Sequence, residues 1–305
     1  MRAIQITEFG GPEVLRLRDV AEPQAPDGAV VLDVAAAGVN WADTHQAENS
    51  YLAKAELPLI PGGEAVGTTP DGRRVVALLA GGGYAERAVA HPAGMWDVPG
   101  GVDDGQALGL VMQGTTAWHL LRTSAQLRDG ETVLVHAAAG GVGTIAVQLA
   151  KRFGAGTVIA VASSAEKRAL ASRLGADAVI GSMEELDEKV DVVLEMVGGD
   201  TFMASLKALK PFGRLVHFGQ AGRQGAPKVD PGALMARSQG VIGFWLVHMT
   251  RRPELMTEAM DGMFEMVRAG ELEVVVGGEY PLGEARRAHE DLRARSTVGK
   301  LLLRP

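Results

Sequence analysis

The segment Val133-Leu134-Val135-His136-Ala137-Ala138-Ala139-Gly140-Gly141-Val142-Gly143 constrains this chain more than any other. Its core reads A-x-G-x-x-G, with Ala138 in the first glycine slot. An apolar run leads into it. A helical pattern leads out over 142–153, with Val142, Ala146, Leu149, Ala150 and Phe153 on one face. A dinucleotide fingerprint requires this strand–turn–helix context. Residues without bulk let backbone amides approach a pyrophosphate, and the helix N-terminus adds unpaired donors and partial positive charge. The cofactor-binding positions read from the turn are Ala139, Gly140, Gly141, Val142 and Gly143. The bland alternative is a tight turn that needs only positive φ.

The residues beyond the turn favour the cofactor. Strands are expected at 157–162, 178–180, 190–196 and 214–218, with a possible sixth at 241–246, and helices at 166–174 and 201–209. Continuous apolar strands alternating with amphipathic helices predict an α/β fold, a doubly wound parallel sheet covered on both faces. The first hundred residues read differently. Short candidate strands at 3–9, 15–20, 29–36, 64–69, 74–79 and 84–90 are separated by Gly, Pro and Asp turn signals. Asp103-Asp104 can cap a helix, and a second helix is expected at about 115–124. A helix at 254–269 and late strands at 274–276 and 301–303 suggest that the chain returns to the first domain. The expected domains are therefore 1–112 with 250–305, and 113–249.

Composition removes several function classes. The chain of 305 residues has no cysteine, which excludes disulfides, thiolate metal sites and cysteine nucleophiles, and suits a cytoplasmic protein. The net charge of −7 opposes a nucleic-acid or anionic-membrane surface. No apolar run approaches the ~18 residues needed to span a bilayer, and the N-terminus reads as a strand rather than a leader.

The cofactor's phosphorylation state is read at the tip of the second strand. NADH-selective units usually end it with Asp or Glu, which bonds the ribose 2′-hydroxyl. Here the chain runs Val161-Ala162-Ser163-Ser164-Ala165 and then Glu166-Lys167-Arg168. Hydroxyls donate to a 2′-phosphate and a nearby cation offsets its charge, so Ser163, Ser164 and Lys167 favour NADPH. The alternative is that the cations are solvated residues of a helix's first turns.

Taken together, several segments resemble the zinc-free quinone oxidoreductase (ζ-crystallin-like) branch of the medium-chain dehydrogenase/reductase superfamily, over nearly the whole chain. They are Phe9-Gly10-Gly11-Pro12-Glu13-Val14-Leu15, Gly38-Val39-Asn40-Trp41-Ala42-Asp43, Pro61-Gly62-Gly63-Glu64, Gln113-Gly114-Thr115-Thr116-Ala117, the 134–143 turn and Gly299-Lys300-Leu301. The resemblance implies a GroES-like β-rich domain split in sequence around a Rossmann domain, with the active cleft between them. It also implies a homodimer joined through the Rossmann sheet edge near 241–246. Zinc-dependent cousins place Cys at the position of Asn40 and a His-Glu pair at Gly63-Glu64, so no zinc is expected; a tetrahedral site needs converging ligands that the seven histidines do not space out.

By the same resemblance, Asn40 and Tyr51 line the nicotinamide pocket and Thr116 lies beside the cofactor. Gly198, Phe218-Gly219-Gln220, Phe244-Trp245-Leu246 and Lys300 join the cofactor-binding set. There are departures: His45 stands where many relatives have Tyr, and Gly181-Ser182 where many have Asn-Tyr near the adenine. Hydride transfer to an electrophilic acceptor needs proximity more than strong acid–base machinery. Asn40, Tyr51 and His45 are the catalytic candidates. His45 reads as a proton donor or a partly exposed loop histidine, Tyr51 as a donor to a carbonyl or a pocket wall, and Asp43 as a loop anchor or a proton carrier. Trp41 and Trp245 wall an aromatic substrate or simply pack. The expected activity is NADPH-dependent reduction of quinones or other activated small molecules. Enoyl-thioester or 2-alkenal reduction is the alternative within enzymes, and cofactor binding with little catalysis is the alternative outside them.

Overall fold

The computed structural model describes residues 1–50, 52–224 and 227–305. The chain separates into two compact units, Met1–Met112 with Thr250–Pro305, and Gln113–Met249.

The first unit begins with an antiparallel ribbon of β1 (Arg2–Gln5) and β2 (Arg16–Asp19). It continues through β3 (Val30–Val39), α1 (Trp41–Ala47), β4 (Glu64–Thr68), β5 (Arg74–Leu78), β6 (Arg87–Ala90), β7 (Met95–Asp97) and α2 (Asp104–Gly109). Asp103 caps α2 as the sequence implied: its carboxylate accepts from the Gln106 amide at 2.8 Å, and Gln106 Oε1 accepts from the Asp103 amide at 2.9 Å.

The second unit holds α3 (Thr115–His119), β8 (Thr132–Val135), α4 (Gly141–Arg152), β9 (Thr157–Val161), α5 (Ala165–Arg173), β10 (Ala178–Ile180), β11 (Val190–Glu195), α6 (Gly199–Ala208), β12 (Leu209–His217), α7 (Pro231–Arg237) and β13 (Gly240–Gly243). The chain then returns to the first unit as α8 (Pro253–Arg268), β14 (Val276–Pro281), α9 (Ala285–Arg293) and β15 (Lys300–Arg304).

The six strands of the second unit lie in the order β10-β9-β8-β11-β12-β13, and every neighbouring pair is parallel. This is the doubly wound Rossmann arrangement, with its switch point between β8 and β11. Its strands are apolar because both faces are covered: Leu134, Ile159, Val193 and Leu215 are buried with Phe202 of α6.

In the first unit, β14-β15-β3-β4-β5-β7 form a mostly antiparallel sheet, with β6 also paired to β3. The late strand β15 lies antiparallel to β3, so the C-terminus completes this GroES-like unit. Ile4, Ile6, Tyr84, Leu301 and Leu303 share one core, and Leu32, Ala65, Val75 and Ala77 another. The long helix α8 packs the stripe Met256, Ala259, Met260, Met263, Phe264 and Val267.

Several elements depart from the sequence reading, β7 and α7 among them, which it did not anticipate. α1 has only seven residues, too few to display a helical period. α9 buries only Ala285, Ala288 and His289 behind a face of Arg and Glu, so it shows little apolar stripe. The strand expected at 274–276 runs from Val276 to Pro281 instead. Gly277 and Gly278 there resemble a turn, yet a Cβ on Gly277 would collide with the Val298 carbonyl. Close backbone approach, not a turn, requires that glycine.

Candidate functional site

At the end of β8 the chain turns through Ala137 at φ +48°. The Ala138 amide donates to the Val161 carbonyl at 3.1 Å, and the Gly140 amide to the Ala137 carbonyl at 2.8 Å. Gly140 is the N-cap of α4 and supplies no side chain to the first-turn amides. Those amides have no side-chain cap from Gly140, the condition in which a helix start can receive an anion. A Cβ on Gly141 would collide with the Gln113 side chain; on Gly143 it would collide with the Ala137 carbonyl and stand 2.7 Å from Ala138 Cα. Because its neighbours are backbone, Gly143→Ala is expected to cost about 1–3 kcal/mol and to weaken dinucleotide binding. Thermal melting with and without nucleotide checks both effects.

The neighbouring strand tip carries the polar groups. Ser163 is exposed beyond β9. Ser164 caps α5, its Oγ accepting from the Lys167 amide at 3.3 Å. The Arg168 guanidinium donates to the carbonyls of Ala162 at 3.1 Å and Ser163 at 3.3 Å, which pins a cation at the same tip.

Further along the sheet edge, Gly198 begins α6 at φ +87°. The Phe218 amide donates to the Glu195 carbonyl at 3.0 Å and the Phe244 amide to the His217 carbonyl at 2.9 Å. The fold therefore brings residues 138–143, Ser163, Ser164, Gly198, 218–220 and 244–246 to the carboxyl ends of β8, β9, β11, β12 and β13. Thr116 is half-buried on α3 in the same unit.

In the first unit a buried polar cluster surrounds Asn40. Its Nδ2 donates to Glu64 Oε1 at 2.7 Å and meets Met112 Sδ at 3.1 Å. Its Oδ1 accepts from Lys300 Nζ at 3.1 Å. Lys300 also donates to Glu64, and both side chains are fully buried. The second Glu64 oxygen accepts from the Met112 amide at 3.0 Å. Gly38 makes room for the ammonium, since a Cβ there would stand 2.6 Å from Lys300 Nζ.

Asp43 adds a second arm. It accepts from the Asn40 amide at 2.8 Å and from the Tyr84 hydroxyl at 2.8 Å, and that hydroxyl lies 3.1 Å from His289 Nε2. Burial pushes the Asp43 carboxyl up to about 6 against these donors. Burial also pushes His289 down to about 3. Asp43 thus ties Asn40 to the first turn of α1.

His45 corrects one expectation: it is on α1 rather than a loop, and it is buried, with Nδ1 2.8 Å from Ser50 Oγ. Tyr51 lies outside the described residues.

A tetrahedral zinc does not fit this donor set. The chain has no thiolate to offer, and the buried carboxylate already carries the Lys300 ammonium. Among the described residues no three His, Asp or Glu side chains converge as metal ligands.

Several residues the sequence did not single out now stand in the two clusters. Met112 reaches Asn40, Tyr84 reaches Asp43, and His289 reaches Tyr84, only through tertiary packing. Glu195 carried a faint signal, an acid closing the apolar run Val192-Val193-Leu194.

The family model for zinc-binding dehydrogenases matches residues 141–265. The quinone oxidoreductase of Pseudomonas aeruginosa is 35% identical, over 100% of this chain and 99% of that one. The quinone oxidoreductase of Thermus thermophilus, solved alone and with NADPH, superposes with a TM-score of 0.91 at 38% identity, all of both chains being covered. That of Escherichia coli, solved with NADPH, gives 0.93 at 32% identity with the same coverage. Full-length similarity at these identities, on a Rossmann unit and a GroES-like unit, places the chain in a known group: it belongs to the quinone oxidoreductase branch of the medium-chain dehydrogenase/reductase superfamily.

Proposed function

We propose that this protein is an NADPH-dependent, zinc-independent reductase of quinones or similarly activated small molecules. The observation that carries the reading is the glycine-lined row of uncapped amides where β8 meets α4, with Ser163, Ser164, Lys167 and Arg168 gathered at the adjoining strand tip. The amides of residues 139–143 suit a pyrophosphate, and the strand-tip hydroxyls and cations suit a 2′-phosphate.

When bound, NADPH supplies the hydride. The chain's own residues hold and orient. Asn40 cannot turn freely, because Lys300, Glu64 and Met112 fix both ends of its carboxamide. It is suited to aligning a neutral polar group without ionising. Lys300 supports it from behind, as a buried cation paired with Glu64, and Thr116, Gly198, 218–220 and 244–246 are assigned to the cofactor. Tyr51 and His45 are assigned to the acceptor, with solvent or a weak acid returning the proton.

A homodimer through the free edge of β13 belongs to the same reading. β13 ends the sheet, and Phe212 and Met235 of the same unit are 75% and 79% exposed. No helix among the described residues is long and apolar enough to cross a membrane, and the cysteine-free composition suits the cytoplasm.

Two measurements test the proposal. Lys167→Ala is expected to weaken NADPH by roughly tenfold while leaving NADH nearly unchanged, a charge-assisted contact being lost. Calorimetric titration of both nucleotides reads this, and equal losses would remove the 2′-phosphate assignment. NADPH oxidation is then followed with 1,4-benzoquinone, 9,10-phenanthrenequinone, an enal and crotonyl-CoA. Quinones are expected to turn over fastest. Turnover confined to crotonyl-CoA would favour the enoyl-thioester alternative, and binding without turnover would favour the non-catalytic one.

A further inference from the structure

Three neighbouring parallel strands end in ionisable side chains. His136 follows β8, Glu195 closes β11 and His217 closes β12. Register places them side by side, because Leu194 pairs with Val135 and Glu195 with His217. β8 and β11 flank the switch point, where an open α/β sheet receives its ligand.

The row is highly organised. Glu195 is fully buried. Its Oε1 accepts from the amides of Val197 at 2.7 Å and Gly198 at 2.8 Å, and its Oε2 pairs with His217 Nδ1 at 2.6 Å. Burial pushes this carboxyl up, but the His217, Gly198 and Val197 donors outweigh it and hold it below its ordinary value. An ionised carboxylate only accepts, so His217 carries its hydrogen on Nδ1. In the tautomer with hydrogen on Nδ1 alone, Nε2 presents a lone pair, and it has no partner among the described residues. The ring is held edge-to-face by Phe202, with centroids 5.4 Å apart, and its side chain stays 17% exposed. His136 differs: it is buried, and its Nε2 is taken by Ser205 Oγ at 2.8 Å.

Strand order says which part of a dinucleotide this row would meet. With the pyrophosphate at the β8–α4 turn and the adenosine at the β9 tip, the nicotinamide half extends the other way, over β11 and β12. We propose that His217 binds the nicotinamide-side ribose by accepting a hydrogen bond from a hydroxyl at Nε2. Glu195 is its positioning residue and also fixes the Val197–Gly198 turn. The inference rests on the dinucleotide reading and extends it to the end of the cofactor that reacts.

The test measures dissociation constants of NADPH and NADH by fluorescence titration, with melting curves as a folding check. His217→Phe keeps ring packing but removes the acceptor. It is expected to weaken both nucleotides equally, by roughly 3- to 10-fold, because the ribose is common to them. His217→Gln, which retains an acceptor, recovers most of the loss. Glu195→Gln still accepts from the two amides but forces the other tautomer of His217, and is expected to weaken both nucleotides to a smaller extent. It carries the same decision if His217→Phe does not fold. Ser205→Ala is the structural control: it lowers the melting temperature and leaves both constants unchanged. Unchanged binding in the folded variants, a loss confined to NADPH, or an equal loss in Ser205→Ala would overturn the assignment. Failure of the unmodified protein to bind either nucleotide would instead overturn the dinucleotide reading on which it rests.

Discussion

Lys300→Met is expected to lower the free energy of unfolding by about 3–5 kcal/mol, since it strips the ammonium from a carboxylate buried away from water. Glu64 and Lys300 are both fully buried, so neither has solvent to replace a missing partner. The Asn40 Nδ2 and Met112 amide donors remain, but they do not neutralise the charge. The double variant Lys300→Met with Glu64→Gln removes both charges and keeps an acceptor for those donors. It is expected to recover most of the loss, because replacing a buried ion pair outright costs far less than halving it. Urea denaturation of the wild type, Lys300→Met, Glu64→Gln and the double variant closes the cycle. Equal losses in the single Lys300 variant and the double would mean that packing of the lysine stem, not charge pairing, dominates the site.

Acidification supplies the second large effect. His136 and His289 are held neutral by burial, at about 4 and about 3. Their native values lie below the ~6.5 of an unfolded histidine. Their stabilisation is therefore complete above pH ~6.5 and is lost as pH falls. At pH 4 the loss amounts to about 3 kcal/mol for each. Asp43 works in the opposite sense. Its carboxyl is raised to about 6, so its ionised form weakens the fold above that pH, and protonation returns about 2–3 kcal/mol as pH falls towards 4. From these three groups the expected loss is about 3–4 kcal/mol between pH 6.5 and pH 4, a slope of nearly one proton, and carboxylates held below their ordinary value, Glu195 among them, add to it. His289→Gln can still donate to the Tyr84 hydroxyl and should reduce that slope by nearly one proton, because one of the two histidines held neutral is gone. Denaturation midpoints across this range measure it, and an unchanged slope in the variant would place the titration elsewhere.

The sequence was most readable where local physics and tertiary structure agree. The six apolar strands and the glycine turn of the Rossmann unit follow from periodicity and from the small residues at 140, 141 and 143. The polar cluster around Asn40 was only partly readable. Asn40, Glu64 and Lys300 stand out as residues of matching segments, but their contact joins β3, β4 and β15 across 260 positions of chain for the Lys300–Asn40 bond, which no local pattern encodes. Tyr84 and His289 were invisible for the same reason, each looking like an ordinary core residue. The loop reading of His45 failed because α1 is short and is set by Asn40 and Asp43 at its first turn rather than by an apolar stripe. The Glu195–His217 pair depends on register between β11 and β12, which a sequence does not state.

NADPH oxidation in the presence of 1,4-benzoquinone, by protein dialysed against a chelator and checked for residual metal, tests the central claim most directly. The account predicts saturable turnover in NADPH that chelation leaves unchanged. It also predicts that Gly143→Ala loses the NADPH saturation while the quinone dependence persists. Tight NADPH binding with no acceleration of its oxidation, or turnover that disappears with the metal and returns with zinc, would contradict it.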